Sequence, residues 1–237
     1  MNVMITGASR GIGFETVKYF ARKENMHVFA LSRNKTALGR LASECAGLSK
    51  TSVIKPIAVD LLEVANNPGI LTKKLPSKGF HLDILINNAG FLVNKPFSET
   101  SFDEILATFN VNCFAPAILI RHMLPFMGSQ AGSHVINISS MGGFQGSKKF
   151  AGLSWYSSSK AAMACMTECL DAELNEKNIV FNCLALGSVQ TEMLSDAFPG
   201  YKAPLNATEM AEFIGYFALT AHRFMRGKIL PVSISNP

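Results

Sequence analysis

Asn2-Val3-Met4-Ile5-Thr6-Gly7-Ala8-Ser9-Arg10-Gly11-Ile12-Gly13 carries the decision about the fold. A short apolar strand runs straight into a glycine-rich turn, and the turn opens an amphipathic stretch near 11–24. Gly7 can make the tight turn, Gly11 lets backbone approach a bulky anion, and Gly13 lets the helix pack close to the strand. Ser9 and Ile12 complete the turn, and the start of the helix offers free N–H groups and a positive dipole end to phosphates. A glycine triplet alone is a weak signal. Its place between a first strand and a helix makes it a strong one.

Outward from this turn, the alternation continues through the chain. Further strand candidates are 27–32, 53–59, 82–87, 133–139, 179–185 and 228–234. Helical periodicity appears near 35–46, 67–75, 102–127, 156–177 and 208–220. The strands are short, apolar on both faces and rich in Val and Ile, as in a parallel sheet covered by helices. The pattern predicts an α/β fold: one doubly wound, Rossmann-type domain over 1–237, with a seven-stranded, mostly parallel sheet and helices on both faces. No Pro/Gly/Ser linker divides the chain. Pro56 inside the third strand suits a sheet edge, where the strand order 3-2-1-4-5-6 places it.

Composition narrows the function. The 237 residues are 48% hydrophobic and 16% charged, which excludes intrinsic disorder. A chain of this size buries about 70% of its extended surface. The net charge is +5, with no basic cluster that would track a nucleic-acid backbone. No uninterrupted apolar run reaches the ~18 residues of a membrane span, and no secretion signal is visible at Met1, so a cytoplasmic protein is expected. The five cysteines (Cys45, Cys113, Cys165, Cys169, Cys183) are odd in number and irregular in spacing, which points to free thiols in a reducing compartment. Five scattered histidines supply no ligand set, so no metal is expected.

The spacing Gly7-x-x-x-Gly11-x-Gly13, with its neighbours, resembles the short-chain dehydrogenases/reductases. Further matches follow in order over essentially the whole chain: Asp60-Leu61 after the third strand, Asn87-Asn88-Ala89-Gly90 after the fourth, then Asn112, Ser140, Tyr156 and Lys160, then Gly187 and Thr191. The resemblance implies that Asn112, Ser140, Tyr156 and Lys160 form a catalytic tetrad. It also implies a nicotinamide cofactor held by Gly7, Ser9, Arg10, Gly11, Ile12, Gly13, Ser32, Arg33, Asp60, Leu61, Asn88, Ala89, Gly90, Tyr156, Lys160, Gly187, Val189 and Thr191. An acid at the end of the second strand would bind ribose hydroxyls and repel a 2′-phosphate. Ser32 stands there, followed by Arg33, with Arg10 in reach, and two guanidinium groups without a carboxylate suit NADP(H) better than NAD(H).

Tyr156 and Lys160 lie one helical turn apart on one face. A tyrosine near pKa 10 is a poor base at neutral pH, and a neighbouring ammonium or an oxidised nicotinamide would lower it. Ser140 can bond the substrate oxygen, whereas Ser139 points to the other face of its strand. Pro116 has no N–H for the Asn112 carbonyl, which leaves that acceptor free for water. In this family the corresponding carbonyl is thought to hold a water that extends the proton path from the lysine. Two departures stand out: Leu186 replaces the family's proline before Gly187, and the sixteen-residue step from Ser140 to Tyr156 is longer than usual, the extra residues falling in 145–152. The segment 188–207 is expected to cover the substrate. With Phe91, Leu92, Phe144 and Trp155 it implies a largely apolar pocket.

The implied activity is NADP(H)-dependent hydride transfer between nicotinamide and a carbonyl or alcohol, with tyrosine as general acid/base. A non-catalytic NADP(H) sensor on the same fold, or a 3-oxoacyl carrier-protein reductase, are the alternatives. Helices 102–127 and 156–177 carry more apolar residues (Ile118, Leu119, Met123, Phe126; Met163, Cys165, Met166, Cys169, Leu170) than one buried stripe needs. A homodimer or homotetramer built on them is expected.

Overall fold

The computed structural model describes residues 1–76, 79–128 and 132–234. Strand β1 (Asn2–Thr6) leads through α1 (Gly11–Ala21) to β2 (His27–Ser32), and α2 (Lys35–Cys45) leads to β3 (Val53–Ala58). Two short helices, α3 (Leu61–Asn66) and α4 (Gly69–Thr72), precede β4 (Ile84–Asn87). Helix α5 (Phe102–Phe109), a π turn over Asn110–Phe114 and α6 (Ala115–Met123) form one run before β5 (Ser133–Ser140). Helix α7 (Ser154–Glu173) returns to β6 (Ile179–Leu186). A short excursion through β7 (Val189–Gln190), α8 (Glu192–Ala197) and β8 (Leu205–Asn206) precedes α9 (Ala207–Thr220) and β9 (Lys228–Val232).

The main sheet has seven strands in the order β3-β2-β1-β4-β5-β6-β9, and every pairing in it is parallel. Pro56 lies opposite Ala30 on the edge strand, where its missing N–H costs little. Side chains alternate between two apolar layers, as the pleat requires. Val3 and Ile5 face Phe14, Phe20 and Leu38 on one side. Met4 faces Leu85, Leu119 and Met123 on the other. This sandwich fixes the carboxyl ends of β1, β4, β5 and β6 along one rim, where a doubly wound sheet carries its ligand.

The structure departs from the sequence pattern in four places. The helix expected near 67–75 is two pieces, α3 and α4: Asp60 Oδ1 accepts from the Leu62 N–H at 2.9 Å and starts α3 early, and Pro68 separates the two. Helix α7 begins at Ser154, so Tyr156 sits in its first turn. The run Phe102–Phe126 is long and apolar enough by composition to cross a membrane, with mean hydropathy 1.2, yet Leu119, Ile120 and Met123 within it are core residues. Finally, the apolar surplus on these helices is partly absorbed within the monomer. Leu119, Met123 and Met163 are buried against the sheet; Ile118, Phe126, Met166 and Leu170 are half-buried; Cys165 and Cys169 are exposed. Phe102, 71% exposed, and Phe114, 48% exposed, are larger apolar groups left in solvent.

Candidate active site

The turn after β1 has the backbone its glycines permit. Gly7 and Gly11 take left-handed φ values of +70° and +55°. A Cβ on Gly13 would lie 2.4 Å from the Gly7 carbonyl oxygen and from Asn88 Nδ2, so only glycine lets α1 approach β4 this closely. Asn88 braces the turn from the other side: its Nδ2 donates to the Thr6 carbonyl at 3.0 Å, and its N–H and that of Ala89 donate to Thr6 Oγ1 at 3.0 Å. Arg10 at the N-cap of α1 makes no side-chain cap, and no acid occupies the first turn. The helix end thus carries no acid of its own and fits a pyrophosphate, with Glu192 Oε2 of the facing segment 3.5 Å from where a Gly11 Cβ would stand.

A cavity of about 760 Å³ extends from this turn across the rim of the sheet. Gly7, Ser9, Arg10, Gly11, Ile12, Ser32, Arg33, Asp60, Leu61, Asn88, Ala89, Gly90, Ser140, Tyr156, Lys160, Gly187, Val189 and Thr191 all line it. Gly13 lies beneath the turn and Asn112 behind the wall, fully buried.

At one end Arg33 Nη1 stands 3.8 Å from Asp60 Oδ2, and Arg10 Nη1 stands 4.0 Å from Asp196 Oδ2. The sequence reading of two guanidiniums without a carboxylate is corrected here. Asp60, whose Oδ1 caps α3, turns its second oxygen to Arg33. Both guanidiniums are more than half exposed, and surface pairs of this kind hold by about 0–1 kcal/mol. A phosphate dianion can displace them.

At the other end Tyr156 and Ser140 line the cavity together, and Ser140 Oγ accepts from the Gly142 N–H at 3.2 Å. Although Tyr156 as a residue is half-buried, the walls around its phenol strip away solvent and raise its pKa, while the Ser140 hydroxyl pulls the other way. The expected lowering by Lys160 is not what dominates: the ammonium lies 5.9 Å from the Tyr156 ring centroid and donates to the Ile138 carbonyl at 2.8 Å. Lys160 itself is buried, and desolvation brings its pKa down to about 8. Ser139 Oγ donates to the Lys160 carbonyl at 2.8 Å, on the opposite side of β5 from Ser140.

Asn112 is a clamp. Its Nδ2 donates to the Phe91 carbonyl at 2.8 Å and to Ser159 Oγ at 2.9 Å, and its Oδ1 accepts from the Phe91 N–H at 2.7 Å. Ser159 Oγ donates in turn to the Tyr156 carbonyl at 2.7 Å. The side chain is thus committed to positioning, and only its backbone carbonyl faces the N–H-less Pro116. The π turn around Asn112 takes the Ala115 N–H to Asn110, the local widening often found at functional sites.

Gly187 donates its N–H to the Val232 carbonyl at 2.8 Å, and a Cβ on it would lie 2.5 Å from Ser233 Oγ. Leu186, in the proline position, extends the β6 ladder between Ser140 and Val232. Thr191 caps α8 by accepting from the Leu194 N–H at 3.3 Å. Phe91, Leu92, Phe150, Leu153, Phe198 and Tyr201 make an apolar outer wall. Phe144 and Trp155 do not line it; Trp155 stacks on Phe97 with centroids 5.2 Å apart instead.

Three features had no local signal. Asn87 Nδ2 donates to Asn137 Oδ1, and Asn137 Nδ2 to Thr167 Oγ1, each at 2.9 Å, a buried polar chain beneath the site. Asn94 Nδ2 donates to the Ala197 carbonyl at 2.8 Å and ties α8 to the Phe91 segment. Lys149 donates to the carbonyls of Gly142 and Phe144 at 2.8 and 2.7 Å, folding the long loop back on Ser140.

The family model described as short chain dehydrogenase matches residues 1–202. The chain is 32% identical over 197 residues to dehydrogenase/reductase SDR family member 7B of Mus musculus, covering 82% of this chain but only 59% of that protein. It is 28% identical to the NADP-dependent 3-hydroxy acid dehydrogenase of Schizosaccharomyces pombe, covering 92% of this chain and 86% of the relative. Among solved structures, L-sorbose reductase from Gluconobacter frateurii, complexed with NADPH and L-sorbose, superposes with a TM-score of 0.86. At 22% identity, with 99% and 95% of the two chains covered, it shares the fold.

Proposed function

The chain belongs to the short-chain dehydrogenase/reductase family, and on that premise we propose that it is an NADP(H)-dependent oxidoreductase interconverting a carbonyl and an alcohol. Its oxidoreductase relatives support activity on CH–OH or C=O groups. The observation that carries the proposal is that Tyr156, Ser140 and Lys160 line the same cavity as the N-terminal end of α1.

The glycine cradle at Gly7, Gly11 and Gly13 would hold the pyrophosphate. Arg33, with Arg10, would take the 2′-phosphate, and the name of the fission-yeast relative agrees with that preference. When bound, the nicotinamide supplies or accepts the hydride. The chain's own residues handle the proton. Ser140 Oγ and Tyr156 Oη together bond the substrate oxygen, and Tyr156 gives it a proton in reduction or removes one in oxidation. The raised pKa of Tyr156 keeps the phenol protonated, as an acid for carbonyl reduction requires. Lys160 sets the positive potential beside the phenol and refills its proton through water held at the Asn112 carbonyl. Phe91, Phe198 and Tyr201 receive the apolar part of the substrate and exclude water.

We read 1–237 as one nucleotide-binding domain with 188–207 over the substrate, a homo-oligomer paired through α5–α6 and α7, and a cytoplasmic protein in keeping with its free cysteines. A panel of aldehydes and ketones with NADPH consumption as the readout tests the activity. Tyr156→Phe should lower kcat by at least ~10²-fold with NADPH affinity unchanged. Retained turnover in that variant removes Tyr156 from the mechanism, and tight NADPH binding without turnover of any carbonyl favours a sensor.

A further inference from the structure

The loop between Ser140 and Tyr156 is held in place by long-side-chain ties. Ser147 Oγ donates to the carbonyls of Met141 and Phe144. Lys149 Nζ donates to the carbonyls of Gly142 and Phe144 and to Ser147 Oγ, the last at 2.9 Å. The Lys95 N–H donates to the Gly152 carbonyl at 3.1 Å, which joins the loop to the segment carrying Phe91 and Leu92. Lys149 is thereby spent on the loop's own carbonyls. Its neighbour Lys148 is left facing the cavity, beside Phe150 and Leu153.

The charges around the cavity single out Lys148. Among the described lining residues, Arg10 and Arg33 each have a carboxylate within about 4 Å, and Lys160 is buried on the Ile138 carbonyl. Both lining acids belong elsewhere: Asp60 to Arg33 at the β3 end, and Glu192 to the glycine turn, its Oε2 3.5 Å from where a Gly11 Cβ would stand. Among the described residues Lys148 has no acid partner, and its ammonium rests 5.8 Å from the Phe150 ring centroid. An ammonium without an acid partner on a fixed loop, beside the apolar outer wall of Phe91, Leu92 and Leu153, selects for an anion at one end of an apolar ligand.

We propose that Lys148 is a specificity-determining residue that binds a remote carboxylate, so that the substrates are oxo or hydroxy acids with an apolar spacer between the reacting carbon and the acid. This rests on the oxidoreductase reading above. Because the contact is the same in ground and transition states, it acts on KM rather than kcat.

The test uses 5-oxohexanoate and 7-oxooctanoate, each beside its methyl ester, with NADPH consumption for the native protein, Lys148→Gln and Lys148→Arg. For at least one chain length the native protein should prefer the acid by tenfold or more in kcat/KM. Lys148→Gln should bring the acid-to-ester ratio down at least tenfold, through KM, and Lys148→Arg should keep it. An ester preferred by the native protein, or a ratio unmoved in Lys148→Gln, overturns the assignment. Calorimetric binding of octanoate and octanamide to the NADPH-saturated protein separates this from failure of the oxidoreductase reading. If no probe turns over but octanoate binds in a Lys148-dependent way, the anion site stands and the oxidoreductase reading falls. If no probe turns over and octanoate binds Lys148→Gln as well as the native protein, the anion site falls.

Discussion

Replacing Lys160 by methionine should abolish turnover and make the protein more stable. Lys160 is only 4% exposed, and burial lowers its pKa from 10.5 to about 8. Between those two values the unfolded chain holds the proton and the native chain does not, so native stability rises with pH in that window. Below about pH 8 both states hold the proton and the native state bears the full desolvation cost, about 3 kcal/mol. Methionine has similar bulk and no charge, so it removes this cost. It also leaves the Ile138 carbonyl without its 2.8 Å donor, which costs about 1–3 kcal/mol. The net gain at pH 7 is therefore about 1 kcal/mol, while activity falls by at least ~10²-fold. The sharper signature is the pH dependence, because the lost hydrogen bond contributes equally at every pH. Urea unfolding of both proteins at pH 7 and pH 9.5 should show the advantage of Lys160→Met shrinking by about 2 kcal/mol at the higher pH. A stability difference that is the same at both values would refute the claim that the native fold bears a desolvated ammonium at this position.

Three further outcomes follow from the same geometry. NADPH should bind at least ~10 times more tightly than NADH, and Arg33→Ala should weaken NADPH while leaving NADH nearly unchanged; equal affinities in titrations of the native protein reject the 2′-phosphate role. His134 is buried, with Nδ1 3.0 Å from the Ala218 carbonyl and Nε2 3.1 Å from Asn182 Nδ2, and burial lowers its pKa to about 4. The unfolded histidine protonates first as pH falls from 6.5 towards 4, so unfolding at pH 5 should take about 2 kcal/mol less than at pH 7 on this account. That part of the pH dependence should vanish in His134→Phe; a variant that keeps it points to another group. Light scattering at micromolar concentration should give a multiple of the 25.7 kDa chain mass, and Met166→Glu should split the assembly; a native mass of one chain rejects the oligomer.

Much of this protein was legible in short stretches of sequence because the physics there is local. Glycine at 7 and 11 answers to backbone φ at one helix start, and Tyr156 and Lys160 answer to the spacing of a single helical turn. Strand periodicity and Pro56 placed the sheet and its edge for the same reason. Other features depend on residues far apart in the chain meeting. Asp60 turns to Arg33 across the ends of two strands, and Asn112 reaches both Phe91 and Ser159. Leu119 and Met163 look like spare apolar surface in their own helices, but are buried once the sheet lies against them. The pKa of Tyr156 went up rather than down because its surroundings, assembled from several loops, remove water more effectively than Lys160 supplies charge. Spacing determined which residue types could act together. Desolvation and long-range hydrogen bonds, which exist only once the chain has folded, decided how each is held, which lysine pairs with the backbone and which one is left facing the cavity.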